Sequence, residues 1–243
     1  MTGRPGVVIT TAGPGVTHTV TAMSEALAQG VPLIHIGGAS PVIEDETGPL
    51  QNLNTLEIMS TVSKWSRKIG HTHRIPEYVA MAYRHAFSST LGPVYLEIGM
   101  DVLKKTVEED KVMFPEKYRT ETQPFGDPAF IEKAAQMLVD AKKPAMIVGD
   151  HARFCSGYGE SVRELAEYLK MPVMVQTMSR GLFADEEENP LFTIGFGVAG
   201  SDVVLLLNVL NDYRLAKLKQ PLIAPNARLI QVHPDVTKIG YNA

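Results

Sequence analysis

Residues 7–18, with the sequence VVITTAGPGVTH, are the stretch whose residue types could most directly bind a ligand. Three apolar β-formers lead into Gly13-Pro14-Gly15, and apolar residues follow at helical spacing, namely Val16, Val20, Met23 and Leu27. This pattern predicts a strand, a tight turn and a helix. Glycines let a backbone approach a ligand closely, and a helix N-terminus favours anionic or polar groups. An ordinary turn between strand and helix has the same pattern, so both interpretations stay open here.

Three other groups of polar residues have types that acid–base or metal chemistry uses. Asp45 and Glu46 could form a carboxylate pair, but adjacent loop residues need not point together, so we interpret them as solvated or facing a second subunit. His71 and His73 have no third ligand nearby, whereas zinc needs three or four, so no metal site is predicted. Cys155 is the only cysteine, which excludes a disulfide framework and a cysteine-based metal site.

Composition narrows the class of protein. The chain has 243 residues, of which 44% are hydrophobic and 21% are charged, with a net charge of -4. These values are normal for a globular protein and give no basic surface for nucleic acid. The sequence lacks a long apolar run and an N-terminal signal pattern, so we predict no membrane partner and a cytoplasmic location.

Apolar runs alternate with amphipathic segments in both halves of the chain. The first half predicts buried strands over 6–11 and 31–36, a third strand over 93–98, and helices over 17–29 and 76–88. The second half predicts a helix that starts at Asp127-Pro128 and ends near 140, a helix over 161–170, and strands over 145–148, 173–176, 203–207 and 228–232. This alternation indicates an α/β fold with mainly parallel sheets covered on both faces. Residues 101–125 are charged and proline-rich, so we predict domains at 1–102 and 127–243 with a linker at 103–126.

Several motifs keep a familiar order along the chain. They are GRPGVV at 3–8, TAGPGVTH at 11–18, VPLI at 31–34, DETGPLQ at 45–51, SKW at 63–65, GPVYLEI at 92–98 and QVHPD at 231–235. Together they resemble the thiamine-diphosphate-dependent enzymes of the acetolactate synthase, benzaldehyde lyase and 2-hydroxyacyl-CoA lyase group. The segment from Asp45 to Gln51, with the late Pro-Asp, looks most like the benzaldehyde lyase branch.

The resemblance implies roles for six residues. Thr11, Gly13, Pro14 and Gly15 match the turn near the pyrimidine half of the cofactor. Gln51 matches a glutamine that faces the reacting centre, where an amide can hydrogen-bond a substrate oxygen, although an exposed loop amide is an equal alternative. His18 stands where asparagine is common, and it could either act as a general base or hold the loop from the first turn of the helix.

The resemblance also implies an incomplete set of domains. Residues 1–102 would be most of a doubly wound pyrimidine-binding domain and 127–243 a shortened central domain. The glutamate that activates the cofactor would precede Gly3, and the domain that binds Mg²⁺ would follow Ala243. We therefore expect a fragment or paralogue of a carboligase or lyase that alone is inactive and binds thiamine diphosphate weakly or not at all. Its implied partners are a small carbonyl substrate and further copies of the chain, in a dimer or tetramer.

Two other functional classes were weighed. A non-catalytic binding or assembly protein that keeps the fold is the main alternative. A nucleotide-binding α/β protein is disfavoured, because neither Gly-x-Gly-x-x-Gly nor Gly-x-x-x-x-Gly-Lys-Ser/Thr occurs.

The second half departs from the family pattern. Gly149-Asp150-His151 lacks the second glycine and the later asparagines of the magnesium motif. The strand from Asp202 follows Gly200 almost at once, where relatives have a helix, so this half has lost or rearranged an element. We therefore do not expect FAD or an adenine nucleotide there.

Overall fold

The structure is a computed structural model that describes residues 4–119, 125–155, 157–181, 191–193 and 195–242. The chain divides into two compact units, Arg4–Gln123 and Pro124–Ala243, which we call the first and the second unit. The exact limits of the predicted linker, 103–126, stay a prediction.

The first unit is built on a four-stranded parallel sheet. Its strands are β1 (Gly6–Thr10), β2 (Leu33–Ala39), β3 (Trp65–Ile69) and β4 (Pro93–Gly99), in the order β1-β2-β4-β3. Its helices are α1 (Pro14–Thr17), α2 (Val20–Gln29), α3 (Thr55–Ser60), α4 (Ile75–Ala86) and α5 (Met100–Lys104).

Helices cover both faces of this sheet. All seven residues of β4 are buried, and alternate side chains enter different cores, as the two-residue period of a strand requires. Leu96 and Ile98 pack with residues of α4, while Tyr95 packs with residues of α1, α2 and α3. Glu97 shares the second face with Tyr95, and this places a carboxylate at the carboxyl end of the central strand.

The prediction of a buried first strand is wrong. In β1, Val7 is 63% exposed and Ile9 is 73% exposed. The reason is position, because β1 is an edge strand that pairs only with β2 in this sheet. An apolar run therefore indicated a strand correctly but not its burial.

The prediction of one helix over 17–29 is also wrong at its start. The chain forms two helices, α1 and α2, with His18 and Thr19 between them. The Thr19 hydroxyl donates to the Val16 carbonyl at 2.7 Å and lies 3.2 Å from Nδ1 of His35. Such side-chain bonds compete with the regular helical pattern, which explains the break.

The second unit has a five-stranded parallel sheet of doubly wound type. Its strands are β5 (Pro144–Val148), β6 (Val173–Val175), β7 (Phe192–Thr193), β8 (Val203–Leu207) and β9 (Arg228–Val232), in the order β7-β6-β5-β8-β9. The helices α6 (Pro128–Val139) and α7 (Tyr158–Leu169) pack on one face. Asp127 caps α6 by accepting from the Ala129 amide at 2.8 Å, as predicted.

The second face of this sheet is covered by short turns. Buried residues from the turns Gly195–Val198 and Tyr213–Leu218 pack on the strands there, including Val198 and Leu215. Between β7 and β8, the described residues include only the first of these turns and no α-helix. Among the helices of the described ranges, none has the length and apolar composition to cross a membrane.

Candidate active site

A cavity of about 330 Å³ lies at the carboxyl ends of the strands in the first unit. In open α/β sheets this edge is where ligands bind, because the loops that follow the strands meet there. The lining is largely polar and consists of Gly13, Ala39, Ser40, Asp45, Glu46, Gln51, Asn52, Leu53, Asn54, Thr55, Lys68 and Glu97. The loop after β2 supplies most of these residues, and β3 and β4 supply Lys68 and Glu97.

The turn after β1 packs directly against the loop that carries Gln51. Gly13 is buried, with φ +54°, a left-handed conformation that favours glycine. A Cβ at Gly13 would come closer than 3.0 Å to the Gln51 carbonyl oxygen. The glycine is therefore required for contact between two backbone segments at one wall of the cavity.

Gln51 is held at the mouth of the cavity. Its side chain is exposed, and its Oε1 accepts a hydrogen bond from the Thr11 hydroxyl at 3.4 Å. The backbone of Gln51 has φ +60°, which costs a non-glycine residue about 1 kcal/mol. Left-handed conformations of non-glycine residues cluster at functional sites.

The other predicted site residues lie around the same turn. Pro14 is the exposed first residue of α1, and Gly15 faces Thr11, whose Cγ2 would overlap a Cβ at position 15. His18 is exposed at the C-terminal end of α1. The structure thus brings Thr11, Gly13 and Gln51 together, while Pro14 and His18 do not line the cavity. The roles assigned to all six residues stay predictions.

Glu97 is the residue of this cavity that sequence reasoning missed. It is only 5% exposed, and its Oε2 accepts from the Thr55 hydroxyl at 2.6 Å and from the Tyr95 hydroxyl at 3.3 Å. Burial raises the pKa of the Tyr95 phenol, so this hydroxyl stays a donor. The other carboxylate oxygen of Glu97, Oε1, lies 3.9 Å from Nζ of Lys68, a distance longer than that of a hydrogen bond. Glutamate is depleted in strands, and that was the available signal.

Lys68 links this buried carboxylate to the loop. Its Nζ lies 3.3 Å from Oδ2 of Asp45, on the opposite wall of the cavity. Asp45 is therefore paired with a lysine, in addition to being exposed as predicted, and Glu46 also lines the cavity. Asp45 and Glu46 are both exposed and both line this cavity, and the interpretation that they are solvated or face a second subunit stays a prediction.

His35 supports the cavity from the core of the sheet. It is fully buried, with Nε2 2.9 Å from the Thr10 hydroxyl and Nδ1 3.2 Å from the Thr19 hydroxyl. Because the Thr19 hydroxyl donates to Val16, it accepts from Nδ1–H, and Nε2 then accepts from Thr10. Burial lowers the pKa of His35 to about 4, so the ring is neutral near pH 7.

The carboxylate of Asp150 in the second unit is bound by other residues of the protein. It is buried, paired with Arg214 at 2.9 Å, and accepts from the Thr177 hydroxyl at 2.6 Å and the Met178 amide at 2.9 Å. Among the described residues, no group of three His, Cys, Asp or Glu side chains could hold a metal ion. His71 and His73 are exposed and stack on each other with ring centroids 5.6 Å apart.

The second unit also contains an open cavity of about 460 Å³ beside the N-terminus of α7. Its walls include the arginines Arg153, Arg163 and Arg180. Guanidinium groups and a helix N-terminus favour anions in general. This composition does not identify a nucleotide, and the expected absence of FAD and adenine nucleotides stays a prediction.

Comparison with known protein families gives two matches. The family model described as "Thiamine pyrophosphate enzyme, central domain" matches residues 131–243. The one described as "Thiamine pyrophosphate enzyme, N-terminal TPP binding domain" matches residues 1–58, which include the turn and Gln51.

Similar curated proteins belong to two kinds. Acetolactate synthase isozyme 1 large subunit of Escherichia coli is 31% identical over 98% of this chain and 43% of its own length. Acetolactate synthase 2, chloroplastic, of Nicotiana tabacum is 28% identical over 99% of this chain and 37% of its own length. Human 2-hydroxyacyl-CoA lyase 1 is 25% identical over the whole chain and 42% of its own length.

The chain thus spans less than half the length of these relatives. The central-domain match spans all five strands of the second sheet, and the N-terminal match spans β1 and β2 of the first sheet, at which the cavity lies. This chain belongs to the thiamine pyrophosphate enzyme family, with residues 1–58 in its N-terminal TPP-binding domain and 131–243 in its central domain.

Proposed function

We propose that this chain supplies part of a thiamine-diphosphate-dependent enzyme that makes or cleaves a carbon–carbon bond next to a carbonyl. Candidate substrates are a 2-keto acid, a 2-hydroxy ketone or a 2-hydroxyacyl-CoA. The single observation that carries the proposal is Gln51, a strained and exposed amide at the mouth of a polar cavity. The family match and the relatives' names support the reaction class.

The turn after β1, of which Gly13 lines the cavity, offers groups that suit the neutral part of the cofactor. The Thr11 hydroxyl and the turn from Gly13 to Gly15 offer uncharged groups beside which a heteroaromatic ring could lie. Thiamine diphosphate, when bound, supplies the electron sink that stabilises a carbanion next to a carbonyl. The protein's own contribution is to orient the substrate and to place hydrogen-bond donors.

Gln51 is the group that we assign to substrate orientation. Its Oε1 accepts from the Thr11 hydroxyl at 3.4 Å, which leaves the amide nitrogen to donate to a substrate carbonyl oxygen. An amide donor that faces a developing negative charge typically contributes 10²- to 10³-fold to kcat, to order of magnitude about 3 kcal/mol.

The test is Gln51→Ala in the protein that contains this chain. A left-handed conformation at φ +60° costs alanine about the same energy as glutamine. The substitution therefore removes the side-chain amide without changing the backbone strain at position 51. We expect kcat to fall by about 10²-fold while affinity for thiamine diphosphate changes less than about threefold. Gln136→Ala, at an exposed glutamine on α6, is the matched control. Equal losses in kcat and cofactor affinity would instead assign Gln51 to cofactor binding.

The proposal includes further features of the protein. The segment from Asp45 to Gln51 favours the benzaldehyde lyase branch, and the cofactor's diphosphate calls for Mg²⁺ as in this family. A homo-oligomer, dimer or tetramer, is supported by the exposed Val7 and Ile9 on an edge strand. The single cysteine is compatible with a cytoplasmic location.

A further inference from the structure

Negatively charged side chains outnumber positively charged ones in the lining of the cavity of the first unit. Three carboxylates, Asp45, Glu46 and Glu97, line it together with a single ammonium group, that of Lys68. At neutral pH the lining therefore has a formal charge of −2. The remaining polar lining residues are neutral amides and hydroxyls.

The ammonium group of Lys68 already lies close to two of these carboxylates. Lys68 Nζ lies 3.3 Å from Asp45 and 3.9 Å from Glu97, between the loop and the sheet. A ligand carboxylate could bind Lys68 only by competing with Asp45, and it would still approach Glu97 and Glu46. Like charges disfavour each other strongly where water is partly excluded.

Glu97 has one oxygen that can serve a ligand. Oε2 accepts from both the Thr55 and the Tyr95 hydroxyls, which fixes the carboxylate rigidly at the end of β4. Oε1 faces Lys68 beyond hydrogen-bond distance, and among the described residues no hydrogen bond to Oε1 is found. Glu97 lines the cavity although the residue is only 5% exposed, so this oxygen is suited to accept a hydrogen bond from a ligand hydroxyl.

We propose that this cavity selects a neutral carbonyl compound with an adjacent hydroxyl over a 2-keto acid, and that Glu97 is the specificity-determining residue. The inference rests on the proposed function and narrows its substrate class. The ligand hydroxyl donates to Oε1 of Glu97, and the ligand carbonyl accepts from the amide of Gln51. A carboxylate in place of the hydroxyl faces Glu97, Glu46 and Asp45 without a free cation.

The experiment compares two small probes on the 243-residue chain. Acetoin is a neutral 2-hydroxy ketone, and pyruvate is a 2-keto acid of similar size. Amide resonances of Gln51, Thr55 and Lys68 are followed by NMR while each probe is titrated at pH 7. We expect acetoin to bind at least about tenfold more tightly than pyruvate, a difference of about 1.4 kcal/mol.

Variants assign the preference to named groups. Glu97→Gln keeps an acceptor for Thr55 and Tyr95 but removes the charge, so the acetoin preference should fall by about fivefold or more. Asp45→Asn with Glu46→Gln, on the exposed loop, should lower the preference even if Glu97→Gln does not fold. Lys68→Met should increase it. Glu57→Gln, at an exposed position of α3 outside the lining, is the control and should leave it unchanged.

Two results would overturn the inference. One is tighter binding of pyruvate than of acetoin, which would make Lys68 an anion site. The other is a lack of response at Gln51 and Thr55 to both probes at tens of millimolar. Because cofactor and turnover are not involved, a preference for acetoin could stand if the lyase or carboligase proposal failed. Conversely, an active enzyme that prefers pyruvate would overturn only this inference.

Discussion

His35, Tyr95 and Glu97 form a series of contacts inside the first unit that ends at a residue of the cavity lining. His35 joins Thr10 at the end of β1 to Thr19 at the start of α2, and its ring lies 5.1 Å from that of Tyr95. Tyr95 in turn donates to Glu97. A change in the charge of His35 would therefore act on the same elements that hold the cavity.

The buried histidine makes stability depend on pH in a defined direction. The pKa of His35 is lowered to about 4 in the folded chain by burial, from an ordinary value of 6.5. The unfolded chain therefore binds the proton more readily between these values, and the free energy of unfolding should fall as the pH drops from about 6.5 towards 4. We expect a loss of about 2 kcal/mol over this range.

Urea unfolding at pH 7 and pH 5 measures this effect. In His35→Gln, which has no titrating ring, the loss between the two values should be smaller than in the natural chain. His18→Gln, at an exposed histidine, should retain the full loss. An equal pH dependence in the natural chain and in His35→Gln would contradict the assignment to His35.

At the scale of elements, the contact between the turn after β1 and the loop after β2 shapes the cavity. Gly13→Ala would place a methyl group against the Gln51 backbone and would require φ +54° of an alanine. Since the obstacle is backbone rather than a flexible side chain, the loop must shift. We expect a loss of about 3 kcal/mol in the free energy of unfolding.

Gly48→Ala is the matched control for this substitution. Gly48 lies on the loop that carries Gln51 and has φ +78°. A Cβ added to Gly48 would have no described atom within 4 Å. Gly48→Ala should therefore lower the free energy of unfolding only by the cost of the left-handed conformation for alanine, about 1 kcal/mol. Denaturant unfolding of both variants gives the comparison, and equal losses would mean that the close approach at Gly13 contributes nothing.

The sequence predicted most of the strands and helices, but not the burial of β1 or the break between α1 and α2. Runs such as PAMIV and VVLLL gave β5 and β8 because fully buried parallel strands are apolar throughout. The same rule failed for β1, where burial depends on a neighbour and not on composition. The split between α1 and α2 involves a contact of the Thr19 hydroxyl with His35 on β2, sixteen positions away, which no local pattern contains.

The candidate site was predictable only in part, for a similar reason. Gly13 and Gln51 were found through the motifs that resemble a known family. Glu97 was inconspicuous, because one acidic residue in an apolar strand gains meaning only from Thr55 and Lys68. These partners are 42 and 29 positions away in the sequence, so the cluster exists only once the sheet has formed.

At the scale of the whole molecule, the edge strand β1 favours association. Val7 and Ile9 are exposed on a strand that, within the part of the chain that the structure describes, pairs on one side only. Exposed apolar edges promote pairing with other chains. We expect sedimentation to detect dimers or larger species at micromolar concentrations.

Substitution at the edge should reverse this association. Val7→Lys with Ile9→Lys should shift the chain towards monomer, because charged edge residues oppose strand pairing. Val139→Lys, at a 63% exposed position of α6, is the control and should leave the distribution unchanged. A monodisperse monomer of the natural chain across this range would rule out self-association through β1.

The packing of Gly13 on the Gln51 backbone also bears on how this protein can diverge. The contact involves the carbonyl of residue 51 and not its amide, so any side chain at 51 imposes the same demand on position 13. Natural variants could therefore exchange the glutamine, and with it the substrate, while the glycine stays fixed. Across descendants of this sequence, position 13 should be nearly invariant and position 51 free to change with the reaction.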